Sequence, residues 1–150
     1  MKLAEALALR ADLKKRIDQV ECRLMLNAKV QEGEAPAEDP EALLAELDGL
    51  FVQLERLMTR INLTNAQTSG NGESLTALLA QRDCLTQKCG VLRNFLSNAS
   101  DLVNRSARTE IKVLSTVNVQ QKQKQLDALS KELRELDLRI QGLNWTTDLQ

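Results

Sequence analysis

The chain has 150 residues, 43% of them hydrophobic and 27% charged, a size and balance that fit one globular domain burying about two-thirds of the surface its unfolded chain would expose. Its 20 basic residues face 21 acidic ones for a net charge of -1, short of the excess with which a nucleic-acid binder holds phosphates. There is no His, which excludes a Ser-His or Cys-His nucleophile pair, an imidazole base near neutral pH and a His-ligated metal.

The segment Met1 to Arg10 turns charged at once, so no apolar secretory core can be drawn there, and no stretch reaches the roughly 18 uncharged residues of a spanning helix. Cys22, Cys84 and Cys89 are an odd number of thiols in a chain large enough to fold without staples. The expectation is a cytoplasmic protein without stable membrane insertion.

The first helix is predicted from Lys2 to about Val30, because Leu13, Ile17, Val20 and Leu24 step by four, three and four along one face. Gly33 and Pro36 interrupt it. A second helix is predicted to start at Asp39-Pro40, where the carboxylate can cap free N–H groups and Pro suits the first helical position. Its seam is Leu43, Leu47, Leu50, Leu54, Leu57 and Ile61. Ser69-Gly70-Asn71-Gly72 reads as a chain reversal, since Gly and Asn tolerate left-handed backbone.

A third helix carries Leu75, Leu78, Leu85, Cys89, Leu92, Leu96 and Val103 in a heptad-like register, with Arg82 where an aliphatic residue is expected. From Ser106 to Val117 the pattern changes. Ile111, Val113 and Val117 alternate with Glu110, Lys112 and Thr116, so Thr109 to Val117 is predicted to be extended. A dozen extended residues reach about 40 Å, the length of a helix of roughly 27 residues, so the topology need not be simple up-and-down. The fourth helix opens at Asn118 with Gln121 completing a capping box, and Leu126, Leu129, Leu133, Leu136, Ile140 and Leu143 form its seam. The expected fold is therefore all-α: one domain over residues 1–150, a bundle of about four long antiparallel or crossover helices with one short extended segment near 109–117.

Four stretches together resemble the septicolysin-like family of small bacterial proteins: Met1-Lys2-Leu3-Ala4-Glu5-Ala6-Leu7, Asn27-Ala28-Lys29-Val30-Gln31-Glu32-Gly33-Glu34, Arg60-Ile61-Asn62 with Thr64-Asn65, and Leu143-Asn144-Trp145-Thr146-Thr147-Asp148-Leu149. The likeness covers essentially the whole chain and implies a helical bacterial protein of this size with no known activity.

Candidate chemistry is sparse. Cys84 and Cys89 are five residues apart on a helix, about 140° past a full turn, so they point to different faces and read as small buried hydrophobes; Cys22 reads the same way. Glu32, Glu34, Glu38 and Asp39 lack the ordered spacing of a calcium loop. Gly70-Asn71-Gly72 lacks the Lys-Ser/Thr continuation of a phosphate loop. Polar residues do gather at two helix ends, where Arg60, Asn62, Thr64, Asn65 and Thr68, and Asn144, Thr146, Thr147 and Asp148, either satisfy free carbonyls or form a surface for a small ligand or partner, with Arg60, Asn62, Asn65, Asn144, Thr146 and Asp148 the candidates for that surface. Trp145, following a helix that could stop at Gly142, needs somewhere to bury its indole.

The function expected from these residues is that of a non-enzymatic helical module, with no catalytic, cofactor or metal residue and no nucleic-acid partner. It self-associates, most simply as a twofold dimer, through Ile111, Val113, Val117 and Trp145. The alternatives are a membrane-active protein, as the toxin-like name of the septicolysin-like family suggests, and a carboxylate-based metal binder or enzyme.

Overall fold

The predicted seams become four helices: α1 Leu3–Leu26, α2 Pro40–Gln67, α3 Leu75–Ser100 and α4 Val119–Thr146. A computed structural model describes residues 1–102 and 111–150 of the chain. Apart from the helices it holds one small antiparallel hairpin, β1 Ser69–Gly70 with β2 Glu73–Ser74, and the fold is all-α. The chain divides into two compact units, Met1–Leu75 with Gly142–Gln150, and Thr76–Gln141.

In the first unit α1 and α2 form an antiparallel pair closed by the loop at 28–38. Leu3, Ala6, Leu13 and Val20 of α1 are buried, as are Leu43, Leu50, Leu54, Leu57 and Ile61 of α2. The helix α1 stops at Leu26, four residues before the expected end. Asn27 ends it by donating its backbone N–H (3.1 Å) and its side-chain amide (2.8 Å) to the Arg23 carbonyl. That amide's oxygen accepts the Glu38 N–H at 2.9 Å, which brings the far end of the loop back onto the helix terminus. Arg23 adds a forked contact, its Nε donating to both Glu38 oxygens at 3.1 and 3.0 Å, and it reaches Glu46 at 3.3 Å.

The start of α2 is as predicted: the Asp39 carboxylate accepts the Glu41 N–H at 3.1 Å and Pro40 is the first helical residue. At the hairpin, Asn71 (φ 54°) and Gly72 (φ 86°) are both left-handed, the backbone that a two-residue turn between twisted strands requires.

In the second unit Cys89, Leu96 and Leu126 make a buried cluster, with Leu85, Leu92, Val119, Leu129 and Leu133 packed against it. Arg82, the charged residue on the α3 seam, turns its guanidinium to Asp83 at 2.8 Å. Asn118 caps α4 by accepting the Gln121 N–H at 3.0 Å. Val103, Thr109 and Glu110 lie outside the described residues. The segment 111–117 is non-helical, as expected, but it carries no strand; Ile111 and Val113 are exposed and not packed on a seam. Alternating branched residues favour a pleat only where neighbouring strands and burial reward it, and here neither is present.

Candidate functional site

Some of the polar residues at the two helix ends, Arg60, Thr64, Thr146 and Asp148, meet in a seam between chain segments far apart in sequence. The Leu3 N–H donates to the Thr147 carbonyl and the Leu149 N–H to the Met1 carbonyl, each at 2.9 Å, and Lys2 and Asp148 form an antiparallel bridge. The Lys2 ammonium spans the same two segments, 2.8 Å from Asp148 and 3.2 Å from the Thr146 carbonyl. Arg60 Nε donates to the Gln150 carbonyl at 2.6 Å, and the Gln150 N–H donates to the Thr64 hydroxyl at 3.1 Å. Thr64 is fully buried and its hydroxyl in turn donates to the Arg60 carbonyl at 2.8 Å.

Other polar groups nearby bond locally or face solvent. Thr146 Oγ1 donates to the Gly142 carbonyl at 2.9 Å, and Asn144 is buried. Asn62 is exposed and Asn65 half-buried. Leu149 is also buried at this seam, and nothing in its local spacing marks it.

The helix α4 runs through Gly142 to Thr146, and Trp145 is 63% exposed on this chain. One expectation needs correction. Among the cysteines only Cys89 is buried; Cys22 and Cys84 are exposed, having no facing seam at their helix positions. All three are free thiols. A thiol reagent is therefore expected to label Cys22 and Cys84 in the native protein and Cys89 only on unfolding, as peptide mass mapping will read. Ser at 22 and 84 should stay within about 0.5 kcal/mol of wild type.

The acidic run does not converge either. Glu38 is held by Arg23 and Asp39 caps α2, and among the described residues no three Cys, Asp or Glu side chains gather as a metal requires. Hydrogen bonding from Arg23 holds the Glu38 carboxyl below its ordinary range, and hydrogen bonding from Lys2 does the same for Asp148. Because the folded state lowers both pKa values, their contribution to stability is complete above the ordinary carboxylate range. It is lost as pH falls through the depressed values. Carboxyl 13C titration should place both groups below the other surface carboxylates, and Arg23→Ala should return Glu38 to the ordinary range. A Glu38 midpoint unmoved by Arg23→Ala would show the pairing to be absent in solution.

A shallow groove of about 480 Å³ lies beside Arg23, lined also by Arg16, Asp18, Gln19, Val20, Cys22 and Glu46. It runs along one side of the α1–α2 pair. The model of a family of unknown function, DUF6847, matches residues 10–149. The chain belongs to DUF6847. This overturns the resemblance to the septicolysin-like family, and with it the ground for a membrane-active reading; among the described residues no helix is long and apolar enough to cross a membrane. The DUF6847 chain is also similar to a solved structure, the crystal structure of a functionally unknown conserved protein from Corynebacterium diphtheriae. The two are 39% identical with a TM-score of 0.93, covering 100% of this chain and 99% of that one. No curated protein matches.

Opposite the Arg23 groove, α2 carries a second row of large side chains that α1 does not cover. Leu44, Phe51 and Met58 recur every seven residues and are 43%, 50% and 40% exposed. In the other unit Val91 and Phe95 are likewise exposed on α3. Single exposed apolar residues are ordinary, but a row in helical register is a surface.

Proposed function

We propose that this chain is a non-enzymatic helical module that works by self-association, presenting apolar helix faces to a second copy of itself in the cytoplasm. The observation that carries the reading is the exposed row Leu44, Phe51 and Met58 beside an already closed α1–α2 core. Such a row loses favourable burial in an isolated chain and recovers it when a complementary face is docked. The conspicuous polar residues point the same way, because Lys2, Arg60, Thr64 and Asp148 are spent on holding the chain together.

The exposure of Ile111 (77%), Val113 (46%) and Trp145 (63%) supports a second route to the same end, with segment 111–117 pairing between copies. Val113→Pro tests that route by removing a backbone donor. Sedimentation velocity across the micromolar range tests the reading itself. The expected species has twice the 16.8 kDa chain mass, and a monomer at every concentration would remove self-association altogether.

A further inference from the structure

We infer that the dimer forms by packing the α1–α2 pairs of two copies face to face through the Leu44, Phe51 and Met58 side, giving an intermolecular four-helix bundle. This rests on the self-association reading and specifies its surface. At about 100° per residue, Leu44, Phe51 and Met58 lie on one side of the α2 seam and Glu46, which lines the Arg23 groove, lies on the other. On α1 the same count puts Leu7, Arg10, Lys14 and Ile17 on the same side as that row, away from Arg16 and Arg23.

The area and the charges both suit a second copy. A helix of 24 residues is about 36 Å long, and two helices side by side are about 20 Å wide. Such a face offers roughly 700 Å² per copy, or about 1,400 Å² in all, which is the size of a stable specific interface. Glu41, Asp48 and Glu55 follow the outer edge of the apolar row at seven-residue spacing. Starting from the Asn27–Glu38 contact and counting equal steps along both helices, Lys14 comes level with Phe51 and Arg10 with Glu55. A twofold axis parallel to the helices sets α1 of one copy against α2 of the other. That puts Arg10 and Lys14 beside the partner copy's acidic edge at Glu55 and Asp48. Among the described residues none of these four side chains makes an ion pair within its own chain.

The test is the dimer dissociation constant by sedimentation equilibrium, with helicity followed by circular dichroism. Phe51→Glu should raise it at least about 100-fold, while Phe51→Leu should keep it within a few-fold. Glu55→Lys should raise it about tenfold, and the double exchange Arg10→Glu with Glu55→Lys should recover most of that loss. The exchange pair decides the matter if Phe51→Glu loses helicity, because neither charged residue belongs to the core. A native dimer indifferent to Phe51→Glu, or dissociated by Val113→Pro instead, overturns this surface and leaves self-association standing. A native monomer overturns both.

Discussion

Replacing Leu3 with Ala lowers the unfolding free energy by about 2–5 kcal/mol, a cost expected of a central core position and not of the third residue of a chain. Leu3 is 0% exposed, and its own N–H is tied to the Thr147 carbonyl, so its side chain is held in the core and its removal leaves a cavity there. Leu9→Ala, at a position 40% exposed on the same helix, stays within about 0.5 kcal/mol. Urea denaturation of the two variants makes the comparison. Equal midpoints would mean that the first turn of α1 frays in solution and that the terminal seam is not formed.

Thr64→Val is the second large effect, about 1–3 kcal/mol, although it is nearly isosteric. The hydroxyl at 64 accepts the Gln150 N–H and donates to the Arg60 carbonyl within a fully buried site, and Val leaves both without that partner. Thr59→Val is the control, since its hydroxyl makes the same i to i−4 bond, to the Glu55 carbonyl, on an exposed turn where water replaces it. Faster amide exchange at Gln150 in Thr64→Val but not in Thr59→Val would tie the loss to the seam. Equal stability of the two variants would remove the site's importance.

The helices were legible because their signals are local. Asp39-Pro40 and Asn118 announce helix starts through side chains that reach only two or three residues, and the Leu seams repeat wherever a partner helix will lie. What was illegible depends on tertiary pairing. Arg23, Asn27 and Glu38 look like ordinary surface residues until the loop folds back, and nothing in the spacing sets Thr64 against Gln150. The branched alternation at 111–117 marks a non-helical segment correctly, while what that segment packs against is not set by local spacing. Cys22 and Cys84 misled because thiols are usually buried, while their exposure is set by which helix face finds a neighbour.

The seam joining Met1–Leu3 to Thr147–Leu149 also bears on the order in which the chain is built. The Lys2 contact with Thr146 spans 144 residues, so its loop-closure entropy is among the largest available to the chain. The α1–α2 pair, closed by a short loop, can assemble while the rest is still being synthesised. The burial of Leu3, however, must wait until residues near 149 have left the ribosome. A nascent chain therefore carries an unfinished, apolar first turn until that distant segment has emerged to cover it.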